Sequence, residues 1–289
     1  MIPHTIEEVT DALAGQQYIA DRPLSVVIHL ALELGRPLFL EGEAGVGKTE
    51  IAKVLAGITD AELIRLQCYE GLDVSHALYE WDYARQMMAI RLAESSGGAE
   101  VGDIMSSDYL IARPLLQAIE ASAAGSRPVL LIDELDRADE EFEAYLLELL
   151  SDFQVTIPEV ETVRALEPPI VVITSNRTRE IHDALKRRCL YHWIDYPTYD
   201  RELAILQTKA PDVPERLAKQ LALAMERLRT MDLFKPPGIA ETLDWGAALT
   251  VLGRDELDPT VVDETLGVVL KYQEDVESVR STGVATLLS

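Results

Sequence analysis

The feature that most constrains this chain is the stretch Gly42-Glu43-Ala44-Gly45-Val46-Gly47-Lys48-Thr49. It follows the apolar run Pro37-Leu38-Phe39-Leu40, which reads as a buried strand. It opens into Thr49-Glu50-Ile51-Ala52-Lys53-Val54-Leu55-Ala56, whose apolar spacing is that of a helix. Strand, glycine-rich turn and helix in that order make a phosphate-binding loop, and this context argues against a glycine-rich turn without function. Glycines let the backbone turn its N–H groups around a polyphosphate with no Cβ in the way. The start of the helix adds the positive end of its dipole. Lys48 is placed for the β- and γ-phosphates and the Thr49 hydroxyl for Mg²⁺, with Gly42 to Glu50 as the expected nucleotide-binding set. The expected fold is α/β, a parallel sheet flanked by helices.

A second motif fits the same chemistry. Pro128-Val129-Leu130-Leu131-Ile132-Asp133-Glu134 is an apolar run that reads as a strand buried on both faces, with two carboxylates at its C-terminal end. Ligands bind at that end of open α/β sheets. Asp133 is placed to hold the Mg²⁺ shell and Glu134 to polarise an attacking water as general base. The competing reading is a helix N-cap. Ile170-Val171-Val172-Ile173-Thr174-Ser175-Asn176 is another apolar strand ending in polar groups. Asn176, the only asparagine in the chain, is placed either to orient the hydrolytic water or contact the γ-phosphate, or to form a turn.

Around these motifs, Thr5-Ile6-Glu7-Glu8 predicts a capping box for a helix to Ala14, and Asp21-Arg22-Pro23 a second helix ended by Gly35. Tyr18 and Ile19, ahead of the first strand, are candidates for a nucleotide-base pocket or for a packed helix corner. Leu63 to Gln67 reads as a strand. The stretch from Gly71 to Val101 reads as a loop plus a helix stopped at Ser95-Ser96-Gly97-Gly98. Trp81 and Tyr83 in it are core aromatics or an interaction surface. Asp108 to Ala124 reads as a helix, with Pro114 marking a start or a kink. After a helix over Ala138 to Asp152, Gln154 to Ile157 and Thr162 to Leu166 flank Pro158-Glu159 as a β-hairpin. Asp183 to Cys189 ends in the basic cluster Lys186-Arg187-Arg188, which serves either a helix C-terminus or a neighbouring subunit's γ-phosphate in trans. A last strand runs from Leu190 to Ile194. From Tyr199 onward the pattern is helical only, broken at Pro211, Pro214, Pro236-Pro237-Gly238 and Gly253. The boundaries read from this are 1–197 for the nucleotide-binding domain and 198–289 for a small all-α domain.

Composition narrows the function. The 289 residues carry a net charge of −24, which opposes a phosphate backbone and argues against a nucleic-acid motor or binding to anionic membranes. Two cysteines, Cys68 and Cys189, make neither a disulfide framework nor a zinc site, so a reducing cytoplasm is expected. No apolar run is long enough for a membrane span, and the N-terminus lacks the pattern of a signal peptide. A guanine-specific Asn-Lys-x-Asp signature is impossible with Asn176 followed by Arg177.

In this order the phosphate-binding loop, Asp133-Glu134, the hairpin, Asn176, the Arg187-Arg188 cluster and the helical tail resemble the AAA+ ATPases, and the hairpin and compact helical lid resemble their MoxR branch. The resemblance implies that Lys48 and Thr49 bind the phosphates and Mg²⁺ of ATP, that Asp133 and Glu134 are the Walker B pair and that Asn176 is sensor 1. It makes Arg188 the arginine finger, with Arg187 as the alternative. It further implies a ring, usually a hexamer, a partner with a von Willebrand factor A domain, and chaperone-like maturation of a metalloenzyme, here a molybdenum hydroxylase of the carbon monoxide dehydrogenase type. The chain departs from the pattern at Gly238 to Trp245, where Glu241 stands in the position that usually holds the sensor 2 arginine. A DNA-directed AAA+ motor and an ATP-binding regulatory module are the alternative functions. Glu134 discriminates the second, because a module that only binds ATP does not need a general base.

Overall fold

A computed structural model describes residues 3–95, 104–158 and 160–288 of the chain. The expected helix stop at Ser96-Gly97-Gly98 and Glu159 of the hairpin turn lie outside the described residues. The chain divides into two compact units. One gathers Met1–Val9, Pro23–Glu41 and Ala52–His192, and the other Thr10–Arg22, Gly42–Ile51 and Trp193–Ser289.

The elements begin with α1 (Ile6–Gly15), α2 (Arg22–Leu34), β1 (Leu38–Gly42), α3 (Lys48–Thr59) and β2 (Leu63–Gln67). Next come α4 (Val74–Leu78), β3 (Tyr79–Trp81), α5 (Tyr83–Ser95), β4 (Leu110–Ala112), α6 (Pro114–Ala123), β5 (Val129–Asp133) and α7 (Glu140–Asp152). The hairpin β6 (Gln154–Ile157) and β7 (Glu161–Arg164) leads to β8 (Ile170–Ser175), α8 (Asp183–Lys186) and β9 (Leu190–Ile194). The helical tail is α9 (Tyr199–Lys209), α10 (Glu215–Thr230), α11 (Ile239–Val251), α12 (Pro259–Val269) and α13 (Gln273–Thr282).

The main sheet has the order β2-β5-β8-β1-β9, with β2–β5, β5–β8 and β1–β8 paired in parallel. The continuous apolar runs of β5 and β8 are buried at every position, as strands covered on both faces must be. Edge strand β2 alternates instead, with Ile64 and Leu66 buried and Arg65 and Gln67 exposed. The core of this unit packs Phe39, Ile132 and Ile173 of the sheet with Leu115 and Ile119 of α6 and Phe142, Leu146 and Leu149 of α7.

The segment between β2 and β5 corrects the sequence reading. The expected helix from Asp108 is shorter: a 3-10 turn at Ser107–Tyr109 passes into β4, and α6 starts only at Pro114. Proline disfavours the helical region for the residue before it, and Arg113 is extended at φ −99° and ψ 171°. β4 is free to pair antiparallel with β3, Trp81 opposite Leu110 and Tyr79 opposite Ala112, in what the sequence presented as loop and helix. Trp81 is half-buried, its ring edge-on to Tyr79 at 6.1 Å, whereas Tyr83 is 70% exposed.

In the other unit α9 to α13 enclose a core of their own. Leu217, Leu221, Met225 and Leu228 form one stripe along α10, and all are fully buried. Trp245 of α11 is fully buried too, its indole N–H donating to Thr265 Oγ1 at 2.8 Å.

Candidate functional site

In the sheet unit, parallel register brings the strand ends level. Gln67 lies opposite Asp133, Ile132 opposite Ile173, and Leu40 and Glu41 opposite Thr174 and Ser175. The polar groups that close each apolar run therefore share one edge. Asp133 is buried with both oxygens engaged: Oδ1 accepts from Thr174 Oγ1 at 2.6 Å and Oδ2 from the Arg65 guanidinium at 2.5 Å. Glu134 then turns out of the strand in the left-handed conformation, φ 55° and ψ 51°, which a non-glycine residue seldom adopts. Its N–H donates to the same Thr174 hydroxyl at 2.9 Å. Its carboxylate accepts from Gln67 Nε2 at 3.0 Å and from Arg137 at 3.3 Å. Glu134 stands at the N-cap position of a 3-10 turn, Leu135–Arg137, but its carboxylate makes no cap hydrogen bond there, and the N-cap of α7 is Asp139, whose side chain accepts from the Phe142 N–H at 2.9 Å.

Asn176 follows β8 and is half-buried. Its N–H donates to Asp136 Oδ1 at 3.1 Å, while the N–H and hydroxyl of Thr178 donate to Asp136 Oδ2 at 2.9 and 2.6 Å. Burial pushes the Asp136 carboxyl up, but the hydrogen bonds from Thr178 and Asn176 outweigh it and hold the group below the usual carboxylate range. Asp136 and Thr174 thus fix the backbone that presents Asn176 and Glu134. Sequence reasoning passed over both; the signal for Asp136 was a third carboxylate shortly after Asp133-Glu134. Cys68, beside them, has its thiol pushed up to about 12 by burial and by Asp133, Asp136 and Glu134, so it stays protonated and is no nucleophile.

The basic cluster begins at Lys186, the last residue of the four-residue helix α8, and its two arginines lie in the turn that joins α8 to β9. Lys186 does not serve the helix end alone: its ammonium lies 3.4 Å from the buried carboxylate of Glu41, which also accepts from Tyr191 Oη at 3.0 Å. The Arg36 guanidinium donates to the consecutive carbonyls of Arg187, Arg188 and Cys189 at 2.7, 3.2 and 3.4 Å. The turn carrying both arginines is therefore fastened to residues at either end of β1. Arg188 folds back on Ser151 Oγ at 2.8 Å and on the Ala184 carbonyl at 3.2 Å. Arg187 is exposed, and its guanidinium makes no ion pair or hydrogen bond among the described residues.

The helical unit carries the glycine-rich loop. Lys48 is buried, its ammonium donating to the Gly42 and Glu43 carbonyls at 2.7 and 2.6 Å. A Cβ on Gly42 would lie 2.2 Å from the Ile194 carbonyl oxygen, so the close approach there requires glycine. Gly45 and Gly47 turn with φ of +79° and +93°. Val46 is buried, Ala44 and Thr49 are half-buried, Glu43 is exposed, and Glu50 pairs with Lys209 at 2.8 Å. Tyr18 is buried in the same unit, its ring 4.0 Å from the place of a Cβ on Gly47, and burial holds its phenol well above the ordinary range. The Ile19 carbonyl accepts from Arg201 at 3.1 Å. Glu241 caps its own helix, Oε2 accepting from the Gly238 N–H at 2.9 Å.

These residues fit a magnesium polyphosphate. The left-handed glycines and a buried ammonium turned onto the loop's own carbonyls form a cradle for phosphate oxygens ahead of the α3 N-terminus. Among the described residues no group of three or more His, Cys, Asp or Glu side chains is arranged to hold a metal by itself. Mg²⁺ seldom needs such a cage, since one or two protein oxygens with phosphates and water complete its shell.

Residues 37–189 match the family model described as AAA domain, dynein-related subfamily. No curated protein matches the chain. Among solved structures, a variant of Thermotoga maritima RuvB is similar at 19% identity and a TM-score of 0.49, over 93% of this chain and 73% of that one. The T. maritima RuvB described as a Holliday junction branch migration motor is similar at 18% and 0.46, over 92% and 72%. A Cytophaga hutchinsonii protein described as a candidate ATPase is similar at 17% and 0.48, over 98% and 93%.

Proposed function

The chain belongs to the dynein-related subfamily of AAA domain proteins and is a nucleotide-binding ATPase, and from that premise we propose that it works as a ring-forming remodeller of the MoxR type. The observation that carries a hydrolytic reading is Glu134. A left-handed turn lifts its carboxylate out of strand and helix, and Thr174 pins its backbone.

In this reading Lys48 and the glycine-loop N–H groups bind the β- and γ-phosphates of ATP, with Tyr18 and Ile19 beside the base. Mg²⁺, when bound, neutralises charge on the phosphate oxygens; Thr49 and Asp133 are the residues that would hold it. Glu134 takes the proton of the attacking water and Asn176 orients that water. Arg188, with Arg187 as the alternative, stabilises the γ-phosphate bound by a neighbouring copy, and the ring is hexameric. The functional division is 1–197 for nucleotide binding and 198–289 for a helical lid.

The finer role rests on sequence resemblance to the carbon monoxide dehydrogenase maturation ATPase CoxD, including Leu78-Tyr79-Glu80-Trp81-Asp82-Tyr83-Ala84-Arg85-Gln86. It gives a cytoplasmic machine with a von Willebrand factor A partner and a molybdenum hydroxylase client. Co-purification from cells expressing all three proteins with ATP tests it, and a client that matures normally without this ATPase would refute it. Against a DNA-directed motor stands the net charge of −24.

Glu134→Gln tests the catalytic reading. ATP binding should persist while turnover falls roughly 10²–10⁴-fold, the range for loss of a general base. Hydrolysis at the parent rate would remove Glu134 from the mechanism, and loss of binding instead would make it structural.

A further inference from the structure

Glu241 occupies the place where the resemblance leads one to expect a γ-phosphate-sensing arginine. In the structure the tip of α11 meets the phosphate-binding loop through its backbone. The N–H groups of Ile239 and Ala240 both donate to the Gly45 carbonyl, at 3.0 and 3.3 Å. The approach leaves no room for a side chain on Gly238, where a Cβ would lie 2.8 Å from the Gly45 carbonyl carbon and oxygen and 2.9 Å from the Ala44 oxygen. Glu241 Oε2 holds the Gly238 N–H at 2.9 Å and lies 3.0 Å from the place of a Cβ on Gly45.

The tip is anchored from behind. Arg229 donates to the Pro237 carbonyl at 2.8 Å and forks onto both oxygens of the fully buried Glu202 carboxylate. Tyr196 Oη donates to the Pro236 carbonyl at 3.2 Å, with the Arg229 guanidinium 5.1 Å from its ring centre. Thr242 Oγ1 reaches Glu202 and, at 3.2 Å, the Gly238 carbonyl.

A peptide unit is planar and trans, so fixing the Gly45 carbonyl on α11 points the Val46 N–H of the same unit the opposite way. A glycine at φ +79° lets the peptide that follows it turn either way at little steric cost on the glycine side. We propose that the N-terminus of α11 is a backbone clamp on the phosphate-binding loop. Gly238 and Glu241 are positioning residues that set the direction of the Val46 N–H for ATP. Coupling between the helical segment and nucleotide then runs through the Gly45 carbonyl rather than through a side chain on the γ-phosphate. This rests on the reading that the loop around Lys48 binds ATP.

The test is equilibrium binding of a fluorescent ATP analogue and steady-state hydrolysis by the full chain, with the melting temperature of the nucleotide-free protein followed alongside. Gly238→Ala should raise Kd and KM at least tenfold and leave kcat at saturating ATP within about twofold, a split that general damage to the fold does not produce. Glu241→Gln keeps an acceptor for the Gly238 N–H and should bind ATP within twofold of the parent. Glu241→Arg loses that acceptor and should bind at least fivefold more weakly. Parent-like Kd and KM in a folded Gly238→Ala protein would overturn the clamp. If that variant does not fold, parent-like or tighter binding and faster turnover in Glu241→Arg would overturn it equally, by restoring a side-chain sensor. Lys48→Ala separates the two readings. Lost binding there beside normal binding in Gly238→Ala sinks the clamp alone, whereas retained binding in Lys48→Ala removes the loop as the ATP site and the clamp with it.

Discussion

Thr174 does at the residue scale what neither carboxylate can do alone. Its buried hydroxyl donates to Asp133 and accepts from the Glu134 N–H, so one side chain on β8 orders the last residue of β5 and the residue after it. Thr174→Val keeps the shape and leaves a buried carboxylate oxygen and a backbone N–H without that partner. We expect a loss of about 1–3 kcal/mol in denaturant unfolding, with reduced ATP turnover, and recovery of both in Thr174→Ser; valine at parental stability would show the bridge to be dispensable. Asp136 makes a prediction in pH. Its folded pKa lies below the ordinary value, so the folded protein holds that proton less readily than the unfolded chain. The stabilisation is complete above the unfolded pKa, about 3.9, and is lost as pH falls through the lower folded value. Asp136→Asn should flatten the acid limb of stability against pH in urea titrations, while an unchanged slope would assign that limb to other groups. Of these residues the sequence made Asp133, Glu134 and Asn176 visible as polar groups closing apolar strands. Thr174 and Asp136 were not, because their part depends on strand order and on hydrogen bonds across some forty positions.

Among the elements, β1 does more than feed the loop. Arg36 just before it holds three carbonyls of the Arg187-Arg188-Cys189 turn, and Glu41 near its far end holds Lys186. The two ends of β1 therefore set where the arginine pair stands. Arg36→Met should leave ATP binding by the single chain unchanged and reduce turnover of the assembled protein at least tenfold. Mixing it with Lys48→Ala subunits, whose arginine turn is intact, should restore activity; if Arg188→Ala is rescued on mixing and Arg36→Met is not, the defect is not in the turn. The strands of the main sheet were legible because buried parallel strands read as unbroken apolar runs. β3 and β4 were not, since three-residue strands offer too short a period to set against the helical spacing around them, and only Pro114 marked where the helix had to begin. The pairing of Arg65 and Gln67 with Asp133 and Glu134 was hidden for a related reason. Alternation put both residues on one face of β2, but only the order β2-β5 says what that face meets.

For the whole molecule, charge decides between partners. The compact units take Gly42–Ile51 with the helical tail, an association that reading in chain order does not suggest, since Gly45 and Gly238 become neighbours only in three dimensions. Net charge needs no folding to be read, and every copy carries −24. Like-charged copies brought into a ring repel one another over a Debye length, which shrinks from about 30 Å at 0.01 M salt to about 8 Å at 0.15 M. The contact proposed between copies, an arginine on a phosphate, acts at much shorter range. Assembly of Glu134→Gln with ATP should therefore strengthen as salt rises between those limits, read as a larger sedimenting species at fixed protein concentration. A motor held on DNA by phosphate contacts behaves the opposite way, its binding falling steeply over the same range as condensed counterions return to the backbone. Assembly that weakens with salt would show that ion pairs between copies outweigh their mutual repulsion, whereas DNA binding that survives at 0.15 M would turn the molecule's function towards nucleic acid and away from a protein client.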